Sequence, residues 1–238
     1  MINKNKVVVT GGSGRFAQNL KKIKSKYKFI YTSKNQLNIL NYNSIKKYLK
    51  KIRPKYVLHL AGMSRPMIDH EKNVSNSINL NIIGTSNVVK VCSELKLKLI
   101  YFSTSYVYEG KKGNYREIDP VLPWNNYAWS KLGGECAVQM YKNSLILRVC
   151  MTEKPFVHKK AFANVRLNFI FHEKLAKILV KLLNKNGIIN IGGPSQTVYN
   201  FAKKFNSKVK KIYLKKNSKI FPLNPSMNLN KLKKIIKS

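Results

Sequence analysis

Val7-Val8-Val9-Thr10-Gly11-Gly12-Ser13-Gly14-Arg15-Phe16-Ala17 is the stretch that decides the fold. A β-branched run, a glycine cluster and a helix-like pattern through Leu20 and Ile23 follow one another without a break. The run reads as a strand buried on both faces, the glycines as a tight turn, and the rest as a helix. Gly11 permits the reversal, Gly14 lets the backbone approach a diphosphate, and Ala17 lets the helix pack on the strand. Backbone N–H groups at the positive end of that helix are free to bind the anion. With both flanks present, the stretch is expected to bind a dinucleotide through Gly11, Ser13, Gly14, Arg15 and Phe16.

Working outward, strand and helix patterns alternate. Phe29–Tyr31 reads as a strand and Ser44–Ile52 as a helix; after Pro54, Tyr56–Leu60 is a third strand. A long helical pattern covers about Val74–Leu95, Leu97–Phe102 is a fourth strand, and a polar loop runs from Tyr108 to Trp124. Asn126–Tyr141 is a helix and Leu145–Val149 a strand. This alternation predicts an α/β fold, a Rossmann-like doubly wound parallel sheet covered on both faces. Residues 150–170 have no clear period; beyond them lie a helix at Glu173–Leu183 and a strand at Gly187–Ile191. The Gly192-Gly193-Pro194 turn leads to a helix at Val198–Phe205 and a last strand at Val209–Leu214. The expected organisation is a dinucleotide-binding domain over 1–150 and a small substrate-binding lobe over 151–238, partly integrated with the first.

Composition narrows the chemistry. The chain has 238 residues and a formal charge of +37, from 46 Lys and Arg against nine Asp and Glu. Lysines are spread from Lys4 to Lys237 rather than gathered in one patch, and Asn outnumbers the acids. This is a chain-wide compositional drift rather than the footprint of a dedicated nucleic-acid partner. Asp69 and Asp119 are the only aspartates, so carboxylate pairs and carboxylate metal cages are hard to build. Cys92, Cys136 and Cys150 lack paired spacing, and the four histidines lack metal-ligand spacing, so no metal is expected. No apolar run approaches the ~20 residues that cross a bilayer. Met1–Lys6 runs straight into a strand with no signal-peptide core, and the expectation is a cytoplasmic protein.

The stretch after the second strand, Thr32-Ser33-Lys34-Asn35, has no acid for a ribose 2′-hydroxyl. A hydroxyl on Ser33 and an ammonium on Lys34 suit a 2′-phosphate, favouring NADP(H) over NAD(H), although Lys34 also fits the general lysine excess. Tyr127-Ala128-Trp129-Ser130-Lys131 puts a phenol and an ammonium on one helix face. A nearby cation favours the phenolate, making Tyr127 a usable proton donor and acceptor. Ser103-Thr104-Ser105 ends the fourth strand, where a hydroxyl can hold a carbonyl oxygen.

Together these motifs resemble the extended short-chain dehydrogenase/reductase family. The glycine loop resembles its TGxxGxxG/A motif and His59-Leu60-Ala61-Gly62 its HLAG. Asn81 in LNIIGTSNVV matches its NxxGTxNV, and Tyr127 with Lys131 its active pair. Within the family the likeness is to sugar-nucleotide reductases of the dTDP-4-dehydrorhamnose reductase and GDP-fucose synthase kind. LNILN, residues 37–41, resembles their segment near the adenine, and STSYVYEG resembles STDYVFDG. The resemblance implies cofactor contacts at Leu40, Asn41, Leu60, Ala61, Gly62, Asn81 and Ser103, besides Tyr127 and Lys131. It implies Thr104, Tyr127 and Lys131 as the catalytic set, a nucleotide-sugar substrate and a possible homodimer. Ser105 and Tyr106 stand where the related dehydratases carry Asp-Glu, and Tyr106 where the fucose synthase carries its epimerising Cys. What remains is ketone reduction in surface-polysaccharide precursor synthesis. A sugar-nucleotide epimerase and a non-catalytic NAD(P)-binding protein stay open as alternatives.

Overall fold

The computed structural model describes residues 3–156, 158–215 and 221–237; Met1 and Ile2, which begin the stretch leading into the first expected strand, lie outside them. The chain runs β1 (Asn3–Thr10), α1 (Arg15–Leu20), β2 (Lys28–Tyr31), α2 (Tyr42–Ile52), β3 (Pro54–His59) and α3 (Ile68–Lys72). Then come α4 (Val74–Ile78), one π-helical turn (Asn79–Ile83), α5 (Gly84–Glu94), β4 (Lys98–Thr104), a 3₁₀ turn (Ser105–Val107), α6 (Asn126–Gln139) and β5 (Ser144–Val149). Beyond these lie β6 (Met151–Thr152), β7 (Lys160–Phe162), β8 (Arg166–Leu167), β9 (Ile170–Phe171), α7 (His172–Leu182) and β10 (Gly187–Ile191). The last elements are β11 (Gln196–Thr197), α8 (Val198–Lys203), β12 (Lys210–Ile212) and α9 (Asn230–Lys237).

Six parallel strands form the sheet, in the order β10-β5-β4-β3-β1-β2. Each strand serves two cores because successive side chains face opposite ways. Val7, Val9, Leu58, Ile100, Phe102, Leu145 and Leu147 pack with Leu20, Leu175 and Leu179 from α1 and α7. Val8, Val57, Leu99, Tyr101 and Ile146 pack with Ile45, Leu49, Val88 and Val138 from α2, α5 and α6. The β-branched and aliphatic runs are therefore buried on both faces, which is what makes them read as continuous apolar stretches.

The expected long helix over about 74–95 contains the π-helical turn at Asn79–Ile83, an irregularity that a periodicity reading passes over. Residues after 150 divide between two places. The strand β10 extends the main sheet beside β5, and α7 covers one of its faces. Ile170 and, from α9, Leu232 join the first cluster as well, while Phe156, Val165, Leu167, Phe201 and Met227 form a third apolar cluster with Val107 and Tyr108. Its two-stranded ladders, β11-β8, β12-β7 and β6-β9, involve strands of only two or three residues. No helix among the described residues is long and apolar enough to cross a membrane.

Candidate functional site

The strand order reverses between β1 and β3, so the turns that leave these two strands diverge and open a crevice at the carboxyl edge of the sheet. Thr10, at the end of β1, braces that crevice. Its Oγ accepts from the N–H groups of Leu60 and Ala61 at 3.2 and 3.1 Å, which directs its own proton to His59 Nδ1 at 2.7 Å. His59 then donates from Nε2 to Thr85 at 3.1 Å. Burial lowers its pKa to about 3, so it is a neutral, satisfied core residue. Gly11, at φ +67°, crosses this brace so closely that a Cβ would lie 2.7 Å from Ala61 N. Only glycine fits there.

The crevice continues into a cavity of about 1090 Å³ lined by the glycine loop, residues 60–67, the β4 end, Tyr127, Lys131 and lobe residues from Val149 to His172. Gly11, Ser13, Gly14, Arg15, Phe16, Leu60, Ala61, Gly62, Ser103, Thr104, Tyr127 and Lys131 all line it. Gly14 caps α1 in extended conformation with no side-chain partner, and its carbonyl accepts the first helical bond from Gln18. The N–H groups of Arg15 and Phe16 precede that bond and face outward as donors. A dinucleotide therefore fits this loop: the backbone comes close, the donors are present, and the cavity is large enough.

Other sequence-predicted contacts have different positions. Ser33 and Lys34 are exposed beside the glycine loop, where Gly12 N–H donates to Thr32 O at 2.9 Å, but they do not line the cavity. Ser33 is engaged with Gln36. Asn41 caps α2 by accepting from Ser44 N–H at 2.9 Å, and Leu40 is exposed; neither lines the cavity. Asn81 lies in the π-helical turn, buried. Its Nδ2 donates to Met63 O and Ser130 Oγ at 2.9 and 2.8 Å, and its Oδ1 accepts from Met63 N–H at 2.8 Å. It ties the turn after β3 to the helix that carries Tyr127.

The reactive groups meet where β4 ends against α6. Thr104 Oγ accepts from Tyr106 N–H at 3.3 Å, and the Thr104 hydroxyl lies on the Tyr127 side of the cavity, where it favours the phenolate. Burial raises the Tyr127 pKa, while Thr104 and the Arg65 guanidinium act the other way. The Arg65 guanidinium is thus a cation that acts on Tyr127 and that the helix spacing did not point to. Burial lowers the Lys131 pKa to about 7, opposed by the Glu135 charge, and its ammonium lies 4.2 Å from the Tyr101 ring centre. The His70 ring packs edge-on against Tyr127, with centroids 5.1 Å apart.

Two features went unread in the sequence. Glu135 is fully buried and accepts from Arg148 Nη2 at 2.5 Å, Arg148 Nε at 3.1 Å and Ser103 Oγ at 2.7 Å. Ser103 thus spends its hydroxyl on this network, as does Tyr108, which accepts from Arg148 Nη1 at 2.8 Å. An arginine inside the aliphatic run Leu145-Ile146-Leu147-Arg148-Val149 was the available signal, since a buried charge requires a partner. The second feature is the guanidinium pair Arg15 and Arg65 facing Glu153, at 3.4 and 3.6 Å. Cys136 on α6 is exposed, whereas Cys92 on α5 is buried.

The family model described as RmlD substrate binding domain matches residues 5–178. Among curated proteins, methionine adenosyltransferase 2 subunit beta of Xenopus laevis is 34% identical over 114 residues, covering 48% of this chain and 34% of that one. A dTDP-D-glucose 4,6-dehydratase of Homo sapiens is 29% identical over 188 residues, covering 77% and 50%. The chain thus spans about a third of the length of the first of these and half of the second. Among solved structures, dTDP-4-dehydrorhamnose reductase from Bacillus anthracis in complex with NADP superposes with a TM-score of 0.86 at 22% identity, covering 98% of this chain and 92% of that one. That likeness speaks to the fold.

Proposed function

The chain belongs to the RmlD substrate binding domain family, and from that premise we propose that it is an NADP(H)-dependent reductase of a nucleotide-linked 4-keto-6-deoxy sugar. The observation that carries the reading is one cavity lined at once by the glycine loop, Thr104, Tyr127 and Lys131. The similar reductase structure from Bacillus anthracis holds NADP, which agrees with the acid-free stretch after β2. When bound, the nicotinamide supplies the hydride. Thr104 donates a hydrogen bond to the ketone oxygen, a preorganised donor where negative charge develops. Tyr127, kept protonated by burial, gives its proton to that oxygen. Arg65 adds positive charge beside it, as does Lys131 in its protonated form, and Glu135 with Arg148 fixes the α6 helix against β4 and β5. Ser105 and Tyr106, where related dehydratases carry Asp-Glu, leave no acid–base pair for elimination.

The test is NADPH oxidation against a panel of dTDP-, GDP- and UDP-linked 4-keto-6-deoxy sugars, with net oxidation expected for at least one. An epimerase would recycle its cofactor and show none. A second reading, a nucleotide-binding subunit without turnover, is favoured by relatives over 48% of this chain that are named as a subunit. It predicts NADPH binding with silence across the whole panel.

A further inference from the structure

Beyond its effect on Tyr127, Arg65 belongs to a cluster with Arg15 and Glu153 that proton transfer does not account for. Arg15 follows the glycine loop and Arg65 follows β3, so the two guanidiniums reach the crevice from its two walls. Glu153 comes from the lobe side, immediately after β6, and its carboxylate oxygens lie 3.4 Å from Arg15 Nε and 3.6 Å from Arg65 Nη1. Thr152 pairs with Phe171, which sets Glu153 beside His172, the first residue of α7. The α7 N-terminus has no side-chain cap, and the His172 imidazole feels the charges of Glu153, Arg65 and Arg15. The two guanidiniums thus share a single carboxylate.

That arrangement is unbalanced. One carboxylate carries one negative charge and two oxygens, whereas a diphosphate carries more charge and more acceptors and suits forked guanidinium donors better. The side chains of Arg15 and Arg65 are 52% and 38% exposed, so their ion pairs with Glu153 are weak and readily exchanged. We propose that Arg15 and Arg65 form an anion clamp for the diphosphate of a bound nucleotide, and that Glu153 occupies the clamp as an internal competitor until the ligand displaces it. The inference rests on the reading that the cleft takes a nucleotide, and adds an element that sets its affinity. The lobe then senses ligand through Glu153, the residue that leaves.

The experiment is titration of the full chain and its variants with three probes: NADPH, dTDP and inorganic pyrophosphate. Glu153→Gln is expected to tighten pyrophosphate binding about tenfold, and Arg65→Gln and Arg15→Gln each to weaken it by a similar factor. In Arg65→Gln/Glu153→Gln the gain from Glu153→Gln shrinks or vanishes, because the two act on one site. Whichever of NADPH and dTDP follows the same pattern is the nucleotide whose diphosphate the clamp takes. Unchanged or weaker binding in Glu153→Gln, with thermal unfolding like that of the parent, overturns the proposal, as does pyrophosphate binding that ignores both arginines. NADPH binding that ignores them while dTDP and pyrophosphate also do sinks the clamp and spares the reductase reading. Pyrophosphate and dTDP binding that follows them, without any NADPH binding, does the reverse.

Discussion

The sheet and the lobe are built by different means. In the sheet, strands of four to eight residues alternate their side chains between two aliphatic clusters, and helices cover both faces. In the lobe, strands of two or three residues hold little by themselves, and aromatic rings fill the centre. Phe171 packs against Phe205 with centroids 4.7 Å apart, and Phe169 against Phe201 at 5.4 Å. The sheet gains its precision from backbone ladders, and so can hold Thr104, Tyr127 and the glycine loop in fixed relation. The lobe, with fewer ladder bonds, depends on ring packing instead.

The largest effect that would break this contrast lies at the buried ion pair. Arg148→Met leaves Glu135 charged and unpaired inside the sheet half and is expected to cost about 3–5 kcal/mol in chemical unfolding. A loss below 1 kcal/mol would mean that the network contributes little to the frame. Next come two truncations. Leu58→Ala, at the centre of the sheet, is expected to lower global stability by about 2–5 kcal/mol. Phe201→Ala is expected to raise hydrogen exchange in β7, β8 and α8 first, with β1, β3, β4 and β5 keeping their protection. Equal loss of protection everywhere would show that sheet and lobe unfold as one unit.

Gly11→Ala has a smaller cost, about 1–3 kcal/mol from the left-handed backbone. Its Cβ would lie 2.7 Å from Ala61 N, so the crevice must widen and NADPH binding should weaken with it. The smallest effect is on pH dependence. Burial lowers the Lys131 pKa to about 7 and that of Lys98 to about 8, below the ordinary lysine value. Between those values and about 10 the unfolded chain binds protons that the folded chain does not, so these two groups make stability rise with pH across that window. Lys131→Met should flatten the lower part of the rise; an unchanged profile would mean that Lys131 is solvated and charged.

This difference in construction also governs what could be read from the residues. Val7–Val9 and Leu145–Val149 announce buried parallel strands because both faces are covered, and Gly11–Gly14 announces a turn because other residues strain there. Thr104, Tyr127 and Lys131 were legible from their placement after a strand and on one helix face. Strands of two residues carry no alternation, so β6, β8, β9 and β11 left no trace in the pattern. The pairing of Glu153 with Arg65 was invisible for another reason. Their meeting depends on how the lobe returns to the crevice, which no local spacing records.

The most direct test of the account is Tyr127→Phe, read by NADPH oxidation on the sugar that the wild-type chain reduces and by NADPH titration in parallel. Turnover is expected to fall by about 10²–10⁴-fold while NADPH affinity stays within about threefold, because only the proton donor has gone. Unchanged turnover would contradict the central claim.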